Sequence, residues 1–426
     1  MSYSTDVFTK WVSDFESWDA LRVWLQTNDG GCLRVVEPSD SPYALIRTVK
    51  GQSDFTLEHV RWCRSVVVHK ETRIPVSVAP PKASEFTNDL DPAVWCSAEE
   101  FVDGTMLTIG LCQDKDVGTV LSTRSRIGAT GRACTSGPTF AEMFDAAIAN
   151  HTVGSVTEIL PHQPSAAAVF TSVVLQHPAN RIVTPIGSAT YKIIHQGWVG
   201  HTGRVYIVED CLYFHHNQHN RHHSQPAGQA FFEIPRYNLE QIRSAPSVCE
   251  WVTQQAQLRG YGWQGLVLKD GHGGRWRVRS SVYDVVHRIR GNESSIEGRF
   301  IRHRREQTLE QYYVYYPEDR EAFYTLEDSL RKNTGRLVQY YADVFRSRKT
   351  PYHTLPWPYK HHVSVLHNQF KDTLRAEGKK VDLAHVVQYV NALNNEDLVH
   401  MAQVHSLAPS KSKSKNILVK TMDGQF

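Results

Sequence analysis

Between residues 5 and 27 the large apolar side chains recur every three or four positions, at Phe8, Trp11, Phe15, Trp18, Leu21 and Leu25, and Asn28-Asp29-Gly30-Gly31 ends the run. That spacing predicts an amphipathic leading helix with its aromatic stripe turned to a core, a partner-docking face being the other use of such a stripe. Beyond it the period shortens. Cys32 to Val36, Tyr43 to Thr48 and Trp62 to His69 are short β-branched and aromatic runs bounded by Gly, Pro, Ser or Asp, the pattern of strands, and a further strand starts at Pro75 and ends at Pro80-Pro81-Lys82. Val94 to Cys96, a short acidic link and Phe101 to Ile109 predict a hairpin-like turn, with Leu121 to Arg124 a third strand and Pro138 to Ile148 a helix burying Phe140, Met143, Phe144 and Ala147. Strand patterning resumes near Phe170 and again from Val205 to Phe214.

After Phe300 the apolar period is helical, through Phe323, Leu326 and Leu330, then Leu337, Tyr340, Tyr341, Val344 and Phe345, then Val386, Tyr389, Val390 and Leu393. Pro351 to Pro358 is a rigid connector among these helices, and the alternating Ser and Lys of 410–415 predict a flexible tail. The expected architecture is α+β, an antiparallel-sheet domain followed by a mostly α-helical C-terminal domain. Its expected divisions are 1–54 for the leading helix and strands, 55–292 for the core, 293–405 for the helical domain and 406–426 for the tail.

Polar residues interrupt this frame at ordered points. Arg64 ends a basic stretch and Lys82 follows Pro80-Pro81. Glu99-Glu100-Phe101-Val102-Asp103-Gly104-Thr105 offers a carboxylate and a glycine that lets backbone come close to a ligand. Arg124 and Arg126 flank the small residues 128–131, and arginine grips phosphate through two parallel hydrogen bonds. Then come Leu175-Gln176-His177-Pro178-Ala179-Asn180-Arg181-Ile182-Val183, and finally Gln264-Gly265-Leu266-Val267-Leu268-Lys269 before Arg275-Trp276-Arg277-Val278-Arg279, whose alternation puts three arginines on one strand face.

In this order the motifs resemble those of the covalent nucleotidyltransferases, the ATP-dependent RNA and DNA ligases and mRNA capping enzymes, and within them the bacteriophage-type RNA ligases. Similar segments also mark ligase-like proteins of large DNA viruses. The resemblance spans roughly residues 55 to 292 and implies a ligase-like nucleotidyltransferase core. It makes Arg64, Lys82, Gly104, Arg124, Gln176, Gln264, Gly265, Arg277 and Arg279 nucleotide or phosphate ligands, and Lys82, Asp103 and Gln264 candidates for catalysis. It also implies ATP (or GTP) and Mg as cofactors wherever nucleotide chemistry persists, and RNA as partner.

The sequence departs from the family at the decisive place. Where the family has a nucleophilic lysine two residues before Asp-Gly, this chain has Phe101, and a benzyl group has no lone pair with which to attack phosphorus. Gln176 and Gln264 stand where the family has glutamates, and Arg277 and Arg279 where it has lysines. Charge and shape survive while the covalent step is lost, the pattern of a pseudoenzyme that binds a nucleotide or RNA ends. Two alternatives stay open: an active RNA ligase using Lys82 or Lys269 in place of the missing amine, and a structural or assembly protein of a virus particle.

Composition narrows this only a little. The 426 residues carry 47 Lys and Arg against 44 Asp and Glu, so attraction to nucleic acid must come from local patches rather than from net charge. Seven scattered cysteines without CxxC spacing argue against a disulfide framework or a thiolate zinc site, and the histidines of 215–223 read as a loop rather than a metal site. No apolar run reaches the roughly 20 residues of a membrane helix. A soluble protein of the cytoplasm or of a virus particle, with no membrane partner, is the expectation. Arg299, Arg302, Arg304 and Arg305 beside Tyr312, Tyr313, Tyr315 and Tyr316 read equally as an RNA grip or as a basic helix over half-buried tyrosines.

Overall fold

The computed structural model describes residues 2–113, 118–133, 137–151, 155–209, 234–293 and 295–404. The histidine-rich run 215–223 and the tail from 406 lie outside them. The chain divides into two compact units, Met1–Gly291 and Asn292–Phe426. The first is built on antiparallel sheets and the second on helices, as the periodicities predict. No helix among the described residues is long and apolar enough to cross a membrane.

The described residues of the first unit form three sheets. The largest joins β1 (Ser2–Thr5), β8 (Thr105–Cys112), β9 (Thr119–Thr123), β10 (Ala168–Gln176), β11 (Thr190–Val199) and β12 (Val205–Val208) in the order β1-β12-β11-β10-β8-β9. A second consists of β2 (Arg34–Val36), β3 (Tyr43–Arg47), β4 (Val66–His69) and β5 (Pro75–Val78) in sequence order. A third is ordered β6-β14-β13-β7, from β6 (Ser84–Glu85), β7 (Ser97–Glu100), β13 (Gly265–Lys269) and β14 (Arg275–Arg279).

Each sheet alternates as its residues require. Leu107, Ile109, Val173 and Ile193 turn to the helix Phe140–Ala149, which buries Met143, Phe144 and Ala147. Thr139 opens that helix with a capping box, its hydroxyl accepting from the Glu142 amide while the Glu142 carboxylate accepts from the Thr139 amide. The opposite face of the large sheet packs on β4 and β5 through Phe170, Val66, Val76 and Val78. In the third sheet Leu266, Leu268, Val278 and Ala98 point toward Trp251, Val252 and Trp263.

Three local expectations change. The leading segment is a strand and two short helices, Thr9–Ser13 and Trp18–Leu25, because Ser17 in an extended conformation caps a new helix. Its stripe is core, with Phe8, Trp11, Leu21 and Leu25 all buried. Trp62 ends the helix Glu58–Trp62 rather than opening a strand. The turn through Phe101–Gly104 is no hairpin: β7 pairs with β13 and β8 pairs with β9 and β10, so the chain crosses from one sheet to another there.

A polar row runs through the contact between the six-stranded sheet and the second sheet. Ser122, Thr108, Ser172 and His195 lie in register across β9, β8, β10 and β11, all buried. Thr108 and Ser122 share a hydrogen bond of 2.6 Å, and His195 Nε2 meets the Val78 carbonyl at 2.8 Å. Burial holds the His195 imidazole neutral down to about pH 4, with Glu209 opposing that shift and Arg275 adding to it. A histidine with a lowered folded pKa contributes stability that is complete above the unfolded value of 6.5 and is lost as pH falls from 6.5 toward 4, at about 1.4 kcal/mol per pH unit. Urea denaturation should therefore lose about 2 kcal/mol between pH 6.5 and pH 5, and His195→Leu should remove that slope.

Candidate functional site

Register in the third sheet decides which side chains share a face. Gly265 stands opposite Arg279, Val267 opposite both Arg277 and Glu99, Lys269 opposite both Arg275 and Ser97, and Arg277 opposite Glu85. The face turned away from the Trp251 core therefore displays Glu85, Glu99, Lys269, Arg275, Arg277 and Arg279. Phe101, two residues beyond Glu99, joins this face where its amide donates to the Gly265 carbonyl at 2.9 Å. The Arg279 guanidinium carbon lies 5.6 Å from the centre of the Phe101 ring.

Two glycines permit this crossing. Gly265 has φ +133°, and a Cβ there would lie 2.1 Å from the Val278 carbonyl oxygen. A Cβ on Gly104 would lie 2.4 Å from the Leu175 carbonyl oxygen. Neither place admits a side chain.

The catalytic candidates separate. The Asp103 carboxylate is buried and fully engaged: Oδ2 accepts from the Val183 and Thr184 amides, both at 2.9 Å, and Oδ1 accepts from the Tyr283 hydroxyl at 2.8 Å. It clasps the 183–184 backbone rather than facing the cleft. The Gln176 amide donates to the Asp103 carbonyl at 2.8 Å, a bond that an ionised glutamate could not make. Gln264 is buried, yet its Oε1 has no hydrogen-bond partner, an unmet acceptor of the kind a ligand donor satisfies.

The two lysines offered as substitute nucleophiles differ sharply. Lys269 is buried with its Nζ between two carboxylates, Glu209 at 2.8 Å and Glu99 in direct contact. Arg275 and the Tyr3 hydroxyl, at 2.9 Å, bind the other oxygen of Glu209. Burial alone would raise the Glu209 pKa, but Arg275 and Lys269 outweigh it and hold the carboxyl well below its ordinary range. An ammonium so held is an ion-pair partner, not a nucleophile, which corrects the expectation for Lys269. Lys82 is exposed, its Nζ 5.0 Å from the Phe55 ring centre.

Lys82 borders a cavity of about 650 Å³ with Phe55, Glu85, Arg275, Trp276 and Arg277. Arg277 bonds Glu85, its Nε at 2.8 Å, and Arg279 meets Asp284 at 3.4 Å. Arg64, just before β4, has its pKa pushed down to about 10, first by burial and then by the neighbouring charges of Arg124, Arg275 and Arg277. It remains a cation at neutral pH, in surroundings already too positive. Among the described residues no carboxylate lies within ion-pair reach of Arg64 or Arg124.

The donor set does not suit a divalent cation. Among the described residues no group of three or more His, Cys, Asp or Glu could hold a metal. The carboxylates on this face, Glu85, Glu99 and Glu209, are each bound to a cationic side chain. What the face can take is an anion.

The helical unit is different. Arg299 donates to the Tyr312 hydroxyl at 3.2 Å and reaches Asp319 at 3.4 Å, Arg302 meets Glu293 at 2.8 Å, Arg304 meets Glu327 at 2.9 Å, and Arg305 donates to Asn395 at 2.7 Å. Tyr312, Tyr313 and Tyr316 are buried. These arginines and tyrosines hold their own unit together, so the packed-helix alternative describes them.

No protein-family model matches the chain, and no curated protein sequence matches it. Among solved structures it is similar to an archaeal ATP-dependent RNA ligase, with a TM-score of 0.40 and 12% identity over 72% of either chain.

Sequence reasoning named Arg64, Lys82, Arg124, Arg277 and Arg279 but missed the Glu99–Lys269–Glu209–Arg275 cluster. The signal for half of it was present, because the alternation that aligns Arg275 with Arg277 also aligns Lys269 with Val267. Removing the Lys269 amine leaves two buried carboxylates short of a cation, so Lys269→Met should cost about 3–5 kcal/mol by urea denaturation. Arg277→Ala breaks a pair whose Glu85 is exposed and should cost no more than about 1 kcal/mol.

Proposed function

We propose that this protein is an RNA-ligase-like nucleotidyltransferase scaffold that binds a nucleotide or an RNA end without forming a lysyl-nucleotide. The observation that carries this reading is the setting of Arg64 among Arg124, Arg275 and Arg277: Arg64 and Arg124 have no carboxylate among the described residues, and Arg275 and Arg277 line a cavity large enough for a nucleotide. Cations gathered against their mutual repulsion are explained by an anion that joins them, and arginine's fork suits phosphate.

Each residue then has a binding role. Arg64, Arg124 and Arg277 neutralise phosphate, the Gln264 Oε1 accepts a hydrogen bond from the ligand, and Arg279 is held by the Phe101 ring. The residues supply charge and position, but at 101 they supply no amine. ATP or GTP suits the cavity as an anion; magnesium does not suit the carboxylates present, and no step is routed through it. The runner-up is an active ligase using Lys82, which is favoured by its exposed amine on the cavity border.

Wild-type protein should retain ATP or 5′-phosphorylated RNA at low salt, Arg64→Ala should weaken that retention about tenfold or more, and α-labelled ATP or GTP should leave no label on the denatured chain. A covalent label lost in Lys82→Ala would establish the active-ligase reading instead. Indifference to both ligands at low salt would leave the structural or assembly role.

A further inference from the structure

Beyond the cleft the arginines continue in a row. Arg34 on β2 and Arg47 on β3 stand directly opposite one another, and like charges facing across a strand pair are destabilising. Arg47 lies in the field of both Arg34 and Arg124, and its Nε is buried without a hydrogen-bond partner. Arg124 is in turn a neighbour of Arg64, because the Ser65 hydroxyl meets the Thr123 carbonyl at 3.4 Å and ties the end of β9 to the start of β4. The row thus passes from Arg277 through Arg64, Arg124 and Arg47 to the exposed Arg34 on an edge strand.

Apart from Arg277, which bonds Glu85, the fold gives these side chains no ion pair of their own among the described residues. Elsewhere in the same unit arginines find acids, Arg22 meeting Asp19 at 3.0 Å and Arg204 meeting Asp6 at 3.3 Å. Among the described residues no carboxylate lies within ion-pair reach of Arg34, Arg47 or Arg124.

We infer that this row is a second phosphate-binding subsite, along which the sugar-phosphate backbone of a single-stranded RNA runs out of the cleft to the edge of the second sheet. The inference rests on the reading of the cleft given above and specifies its ligand. A nucleoside triphosphate carries its charge at one end, in one short chain. A row of separate guanidiniums leading to a sheet edge matches the repeated phosphates of a polymer, one fork to one phosphate.

The test compares Arg34→Ala/Arg47→Ala with wild type, using a 5′-phosphorylated single-stranded RNA of about twelve nucleotides labelled at its 3′ end, read by fluorescence anisotropy, and ATP read by equilibrium dialysis. The double variant is expected to bind the RNA about tenfold or more weakly, to lower the slope of log affinity against log salt by about 1 to 2, and to bind ATP as wild type does. Because the substitutions remove like-charge repulsion, the thermal midpoint should be unchanged or higher. Arg34→Ala alone, at an exposed side chain, should give a smaller loss of the same kind. Unchanged RNA affinity and salt slope in either folded variant overturns the inference while leaving the cleft reading intact. Equal loss of ATP overturns it too and assigns the row to a triphosphate. Failure of wild type to retain either ligand sinks the cleft reading and this inference together.

Discussion

The first unit depends on one buried ammonium. Lys269 lies between Glu99 and Glu209, and Glu209 is also held by Arg275 and the Tyr3 hydroxyl. Charges taken out of water are tolerated only when their partners and hydrogen bonds are in place, so the cluster fixes the position of every strand that contributes to it. Tyr3 comes from β1, Glu209 follows β12, and the other three residues come from β7, β13 and β14. The edge of the large sheet is thereby pinned to the third sheet, and the arginine-bearing face of the third sheet is fixed with it.

That constraint explains a division among residues of one chemical type. On β13 and β14 the cations nearest the pinned edge, Lys269 and Arg275, are neutralised within the protein, whereas Arg277 and Arg279 have only partly exposed acidic partners at the strand's other end. Opposite them Arg64 and Arg124 have none among the described residues. Positive charge is balanced within the protein where the sheets are joined and left in excess around Arg64.

How much of this was legible in the sequence depended on whether a feature is local. The period-two runs gave β3, β5 and β10 nearly to their ends and β4 at its far end only, and the Arg275–Arg279 alternation gave a face correctly, because both are properties of adjacent residues. Ser17 hid the break in the leading segment, since a serine within an aromatic stripe looks like one polar position of a helix and its capping role appears only when the preceding backbone is extended. Phe101 to Gly104 was read as a hairpin because nothing local distinguishes a turn between paired strands from a crossing between sheets. Asp103 looked like a catalytic carboxylate for the same reason. Its partners, Val183, Thr184 and Tyr283, are distant in sequence, and only the fold brings them to it.

The same distance effect alters the meaning of Phe101. In the sequence it marks the place where the family resemblance expects an amine. In the structure its ring lies against the Arg279 guanidinium. An ammonium at 101 would meet that guanidinium as a like charge. The benzyl ring instead presents a negative π face to the guanidinium, an attraction of about 0.5–2 kcal/mol that a lysine cannot supply. Arginine, planar and weakly hydrated, suits such a ring better than an ammonium does. Phe101 and Arg279 are therefore best understood together, as a ring and a guanidinium that hold one another at the end of the arginine-bearing strand.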